Sequence, residues 1–457
     1  MKSRIRLLNP CIQIHRLALL MLVCFSFSGA AGAESLKNND EFWVDGPAGV
    51  QPGVDREYPA VGYDRMGHAV VAWGAFAGGD RNDVWLRRFN MNDQPVGDPV
   101  MANVLVADDQ HYPRLAVRPD GSFFVIWQSD EVDTSLPGDP IRVWIRGRLF
   151  NADLSPAGSE LLISSISTDL NIDVSADVTA LSNGAFAVVW ESAQSVGNDN
   201  QSTSIQGRVV TSAGQLSGSQ FQVNDMINGA QRDSAVSALQ SSGFVALWAG
   251  RSSGGDTDTS IQGRVFNNAG SSPGNDFQVN TTTPNTQDDP DIVSDSGGGM
   301  LAVWESPTTA SSRTQVFARL LSGAGSPLGS DFQIHTTDTT NHQHEPRVGA
   351  AEPGRYLVTW YSNATAGNDP DRSVQGRLVR GQNQYIGAQF QVNDGRAGHQ
   401  QYPAVAGTSS RFMVVFKDDQ NPFAVNDDGI IARGIDLCLF CDGFESGNTT
   451  AWTDTSP

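Results

Sequence analysis

A short apolar run that ends in an aromatic residue recurs along the chain. It reads Ala69-Val70-Val71-Ala72-Trp73, then Phe124-Val125-Ile126-Trp127, Ala187-Val188-Val189-Trp190 and Val245-Ala246-Leu247-Trp248. Leu301-Ala302-Val303-Trp304, Leu357-Val358-Thr359-Trp360 and Met413-Val414-Val415-Phe416 complete the set. The aromatic positions are spaced by 54, 63, 58, 56, 56 and 56 residues. A run that is apolar at consecutive positions, and too short for a helix, predicts a strand buried on both faces.

Three further pieces surround each run. One is a short segment often opened by proline, as at Pro59, Pro113, Pro290, Pro346 and Pro403. A third segment carries an arginine, as in Ile205-Gln206-Gly207-Arg208-Val209; the equivalents are read as Arg88, Arg148, Arg264, Arg319, Arg377 and Arg433. A fourth follows a turn and reads Phe221-Gln222-Val223-Asn224 or Phe277-Gln278-Val279-Asn280. Four short strands separated by Gly, Asn, Asp and Ser turns make a small antiparallel sheet. One such sheet cannot cover both faces of its own second strand, so the units must stack. Seven four-stranded units predict an all-β, seven-bladed β-propeller.

The seventh unit ends at Arg433 without a fourth segment, whereas the chain carries a spare one near its start. Glu41-Phe42-Trp43-Val44-Asp45-Gly46 aligns with Gln389-Phe390-Gln391-Val392-Asn393-Asp394. This permuted order predicts that the N-terminal strand completes the last blade, which leaves no open sheet edge. The repeated arginines and aromatics, present in every unit, are expected to serve the scaffold.

The ends read differently. Lys2, Arg4, Arg6 and Arg16, an apolar run over 17–27, and Ala31-Gly32-Ala33 form a secretory signal peptide over residues 1–33. The propeller is assigned to 34–436 and a tail to 437–457. Cleavage of four bases and no acids takes the net charge from −20 to −24, which disfavours nucleic acid as a partner. No later segment has the ~20 apolar residues a transmembrane helix needs. A secreted, periplasmic or cell-surface location is expected. After cleavage only Cys438 and Cys441 remain, and in an oxidising compartment a local disulfide is the plain expectation.

Chemistry should sit where the repeats differ. Strand order puts the loops between second and third strands on the same face as the blade-to-blade loops. The first set is acidic, with Asp256, Asp258, Asp369 and Asp371; the second carries Asp109, His111, His342, His344 and His399. This face is the candidate binding surface, and the partners it suggests are a glycan or a protein. Clustered carboxylates beside turn glycines are donors a hard cation such as calcium takes, though no stretch fits a complete calcium-loop pattern; ordinary solvated turn aspartates read as well. Gly270-Ser271-Ser272-Pro273-Gly274 matches a nucleophile-elbow pattern in letters only, because no helix follows it. A binding module is the first reading; a polysaccharide lyase or glycoside hydrolase on the same scaffold is the alternative, with histidines as acid or base.

Gly243-Phe244-Val245, Gly263-Arg264-Val265-Phe266 and Gly274-Asn275-Asp276-Phe277-Gln278-Val279-Asn280 resemble a repeat family of secreted and surface bacterial proteins. The resemblance spans roughly residues 40–436 and is weakest in the first two units. It implies a propeller-like fold, frequent proximity to calcium-binding repeats, and in most members no assigned activity. Asp442-Gly443-Phe444-Glu445-Ser446-Gly447 with Trp452 resembles a short tail on exported proteobacterial proteins.

Overall fold

The computed structural model describes residues 35–45, 56–76, 81–135, 141–167, 175–251, 258–281, 285–308, 311–335, 341–363, 371–395, 398–420 and 428–438. Residues 1–33, read from the sequence as a signal peptide, and Asp256, Asp369, Cys441 and the side chain of Cys438 lie outside them. The described chain forms seven four-stranded antiparallel sheets, six of them with their strands in sequence order from the axis outward and the seventh with the N-terminal strand outermost. We number them blades 1 to 7. Their innermost strands are Arg56–Tyr63, Asp109–Val117, Ala176–Ala180, Gln231–Ala238, Asp288–Ser294, Gln343–Ala350 and Gln400–Gly407.

The apolar runs are the second strands. Phe186–Ser192 is buried at every position, and Trp127, Trp190, Trp248, Trp304 and Trp360 are fully enclosed. Such a strand needs cover on two faces, and neighbouring blades supply it. Seven hydrophobic clusters sit between adjacent blades, not within them; one joins Phe186 and Trp190 of blade 3 to Phe124 and Ile126 of blade 2. Another joins Val71 and Trp73 of blade 1 to Met413 and Val415 of blade 7, so the ring is closed.

Closure uses the N-terminal strand. Ser35–Trp43 pairs antiparallel with Gly429–Cys438 as the outermost strand of blade 7. Phe42 sits opposite Ala432 just as Phe390 sits opposite Gly376 in blade 6. The predicted alignment therefore holds residue for residue. Among the described residues no helix is long and apolar enough to cross a membrane.

The motif residues have structural partners. In blades 1, 3, 4 and 6 the asparagine after the outer strand accepts the main-chain N–H of the third strand: Asn103 from Val84, Asn224 from Ile205, Asn280 from Ile261 and Asn393 from Val374, at 2.8–2.9 Å. The glycine of Gln-Gly-Arg makes room for the phenylalanine opposite it. A Cβ on Gly207, Gly263 or Gly376 would lie 2.7–2.8 Å from the ring of Phe221, Phe277 or Phe390. One expectation needs correction: the blade 1 arginine is Arg87, not Arg88. Arg87 pairs with Val71, two residues before Trp73, whereas Arg148 pairs with Val125, two before Trp127. Arg88 instead points toward Asp64, at 3.7 Å. Two adjacent arginines stand in this strand, and the register shows that the first, not the second, is the repeat's.

Candidate functional site

The innermost strands all begin on the face that carries the blade-to-blade loops, and in six blades they begin with the same irregularity. Tyr58, Tyr112, Asp233, Asp289, Glu345 and Tyr402 have φ between 49° and 55°. Each falls inside a register shift, such as Glu57/Ala60 or His344/Arg347. A left-handed conformation costs a non-glycine residue roughly 1–2 kcal/mol. A bulge of this kind re-aims a side chain out of the pleat. Here it turns all six toward the axis, where they line a cavity of about 630 Å³.

Around the ring these residues segregate. Tyr402, Tyr58 and Tyr112 come from consecutive blades 7, 1 and 2; Ser175 follows in blade 3; Asp233, Asp289 and Glu345 come from blades 4, 5 and 6. The tyrosines form one platform. Ring centroids are 4.0 Å apart for Tyr58 and Tyr112 and 4.7 Å for Tyr58 and Tyr402, and the Tyr112 hydroxyl donates to that of Tyr58 at 3.2 Å. Burial and the contact with Tyr112 push the Tyr58 phenol far above its ordinary range, so it stays neutral. His111 packs on Tyr112 at 4.6 Å and lies 3.2 Å from Asp130.

The opposite wall is acidic, and its carboxylates divide by task. Glu191 accepts the main-chain N–H of Asp233 at 3.3 Å, and Glu305 accepts that of Glu345 at 2.5 Å. Each reaches from one blade to the bulge of the next and satisfies a donor the bulge freed from its ladder. Burial drives both pKa values up, Glu191 to about 7. Glu305 also holds the His344 ring, 3.3 Å from Nδ1.

Asp233, Asp289 and Glu345 serve no such purpose. Glu345 and Asp289 make no side-chain hydrogen bond or ion pair among the described residues, and Asp233 has only Arg232 at 3.7 Å. Desolvation, then repulsion from Asp289 and Glu191, raises Asp233 to about 8. Desolvation raises Glu345 to about 7 against the pull of Arg347. Carboxyl groups held this high are part-protonated near neutral pH and able to donate as well as accept.

Below the mouth a charged layer crosses the channel: Arg114, Asp177, Asp291 and Arg347. Asp177 and Asp291 each accept a main-chain N–H from the next blade, from Val236 and Val348, at 2.8 Å. They cap donors on the inner sheet edge. Arg114 and Arg347 donate to the carbonyls of Pro113 and Pro346. The cavity is thus an axial cup with aromatic and acidic walls at its mouth and a charged layer beneath them, and its lining continues past that layer to Tyr63, Val117, Ala238 and Ser294.

None of the described residues singled out from the sequence as the binding surface lines this cup. Asp109 accepts the N–H of Asn82 at 2.8 Å, and Asp371 accepts that of Gly398 at 3.1 Å. These bonds tie second-to-third loops to blade-to-blade loops. His399 donates its N–H to Asp419 at 2.7 Å, and His342 Nδ1 lies 3.2 Å from both N and Oγ1 of Thr314. Asp258 lies at the start of the third strand of blade 4. His342 and His344 stack with centroids 5.4 Å apart; among the described residues no three His, Cys, Asp or Glu side chains converge to hold a metal ion. The six bulge residues went unrecognised. Their signal was present: five precede the strand-opening proline, and that position varies between blades while its surroundings repeat.

No protein-family model matches the sequence. No curated protein matches it either. Among solved structures, a protein of unknown function from Dyadobacter fermentans shares 10% identity at a TM-score of 0.50, covering 88% of this chain and 99% of that one. An ulvan lyase of polysaccharide lyase family 25 shares 11% identity at a TM-score of 0.51, covering 83% and 93%. An α-L-arabinanase of Penicillium chrysogenum, complexed with arabinobiose, shares 12% at a TM-score of 0.47, covering 75% and 98%. The chain therefore shares its propeller fold with a protein of unknown function and with a carbohydrate-active enzyme.

Proposed function

We propose that this is an exported carbohydrate-binding propeller whose ligand enters the axial cup at the centre of the variable face. The observation that carries this reading is the facing pair of walls, with Tyr402, Tyr58 and Tyr112 on one side and Asp233, Asp289 and Glu345 on the other. A sugar ring offers C–H groups on its faces and hydroxyls at its edge. Aromatic faces take the first and carboxylates take the second, which is the mixed lining expected of a small-molecule pocket. The cavity, about 630 Å³, has room for an oligosaccharide end. A glycan array on the mature chain tests it, followed by calorimetry of each hit against Tyr58→Ala and Tyr112→Ala. The expected result is a saccharide whose affinity falls about tenfold or more in these variants without loss of fold. A hit indifferent to both variants overturns the axial site.

A second reading is cleavage of that saccharide. Glu345 and Asp233, raised to about 7 and about 8, are protonated where a general acid must be. New reducing ends or unsaturated products that disappear in Glu345→Gln support turnover; binding without product leaves the module reading.

A further inference from the structure

The carbohydrate reading leaves the charge of the ligand open, and the cup carries information on it. Resting on that reading, we infer that the axial cup selects a positively charged sugar, one bearing a free or alkylated ammonium group, over its neutral and acidic counterparts.

The argument is one of subtraction. In the floor, Asp177 and Asp291 stand beside Arg114 and Arg347 and are already committed to backbone N–H groups. At the mouth the compensation is only partial: Arg347, and more weakly Arg114, draw on Glu345 from the layer below without forming an ion pair with it among the described residues. Beside Asp233 stands Arg232, which spends its guanidinium on Asp288 at 2.9 Å and lies 3.7 Å from Asp233. Glu345 is half-buried, lines the cavity, and makes no side-chain hydrogen bond or ion pair among the described residues. Recessed carboxylates are ordinarily paired. Three of them arrayed on consecutive blades, with only Arg232 within ion-pair distance of any among the described residues, define a place for a cation from outside. A primary ammonium presents three donors to one arc of acceptors, and a quaternary one, which has none, still presents its charge.

The tyrosine wall points the same way. The π-faces of Tyr58, Tyr112 and Tyr402 attract a cation as well as a sugar face. An amino sugar between the walls meets carboxylates on one side and ring quadrupoles on the other. A uronate or sulfated sugar meets like charge on one side and gains nothing electrostatic on the other. The net charge of −20 adds to the repulsion at long range.

The test uses the mature full chain and three trisaccharides at pH 7.5: chitotriose carrying trimethylated amines, its fully N-acetylated counterpart, and a glucuronate-containing trimer. Calorimetry should show the cationic trimer binding at least about tenfold tighter than the acetylated one, with the acidic trimer weakest. The preference should shrink as salt rises. Because Asp233 and Glu345 are part-protonated in the empty cup, the cationic trimer should expel a proton fraction, seen as a binding enthalpy that depends on the buffer. Asp289→Asn and Glu345→Gln should each narrow the cationic-to-acetylated ratio. Asparagine accepts the left-handed backbone at 289, and a melting curve checks that each variant folds. Equal affinity for cationic and acetylated trimers overturns the charge inference while the carbohydrate reading stands. Failure of every trimer and every array glycan to bind removes both.

Discussion

The Nη1 of Arg87 donates to the main-chain carbonyl of Val44 at 2.7 Å, across the seam where the two ends of the propeller meet. The same bond recurs at every other blade interface. Arg148 reaches Ala102, Arg208 reaches Ile163, Arg264 reaches Val223, Arg319 reaches Val279, Arg377 reaches Ile334 and Arg433 reaches Val392. Each arginine leaves the third strand of one blade and holds the chain just beyond the outer strand of the preceding one. The repeated arginine is therefore a blade-to-blade fastener, and its recurrence follows from the recurrence of the interface.

Arg264 makes this testable away from the seam. Its Nη1 takes Val223 at 2.9 Å and its Nε takes Gly274 at 3.0 Å. Arg264→Ala should lower unfolding stability by ~1.5–3 kcal/mol, the range for a hydrogen bond to a charged group. Lysine has a single donor head and cannot span both carbonyls, so Arg264→Lys should recover only part of the loss. Denaturant melts of the three proteins measure the order.

The seam itself carries a variation on the repeat. Between blades 6 and 7, Asn393 donates to Gln400 at 2.8 Å. At the closing interface the corresponding pair is Asp45 and Arg56, an ion pair at 2.5 Å with both side chains buried. Removing one partner strands the other charge, so Asp45→Ala should cost ~3–5 kcal/mol. The double variant Asp45→Asn/Arg56→Gln restores the pairing used between blades 6 and 7. It should recover most of that loss, and a double-mutant cycle by thermal or denaturant unfolding decides.

The fold was legible because it repeats. Seven apolar runs ending in Trp or Phe gave the blade count, and the displaced Phe42-Trp43-Val44-Asp45 gave the closure. Both rest on side chains whose role is local and identical in each copy. The cup was hidden for the opposite reason. Tyr58, Asp233 and Glu345 share a position but not a residue type, and what unites them is a backbone bulge whose φ does not show in the residue type. The histidines and loop aspartates drew notice by composition, yet Asp109 and Asp371 spend their oxygens on loop N–H groups. Nothing in the letters separates such an aspartate from a free one; the partner comes from a different blade.

Glycine in the Gln-Gly-Arg motif is required by space, not by backbone angle. A Cβ on Gly263 would lie 2.8 Å from Cζ of Phe277 and 2.9 Å from Cδ2 of Leu247. Gly263→Ala should thus destabilise by ~1–3 kcal/mol, the range for overpacking. Adding Phe277→Leu, which removes the ring from that spot, should make the alanine cheaper than it is alone. Additive costs in the melts would contradict the proposed steric pairing.

Stability should fall as the solution is made alkaline. Asp177, Glu191 and Glu345 are raised to about 7 and Asp233 to about 8, each by desolvation first. In the unfolded chain these groups titrate near pH 4. Between roughly pH 4 and pH 8 the folded protein therefore holds protons the unfolded chain has lost. Their stabilising contribution is complete at the acid end of that window and is lost as pH climbs through 7 to 8. His342, lowered by burial and by His344 and Arg313, pulls the other way, but it is one group against four. The melting temperature should drop from pH 5 to pH 8. Asp177→Asn keeps an oxygen for the Val236 N–H and cannot ionise, so its profile should be flatter. The variant should match or trail the parent at pH 5 and surpass it at pH 8, and parallel profiles would show that Asp177 does not hold its proton in the fold.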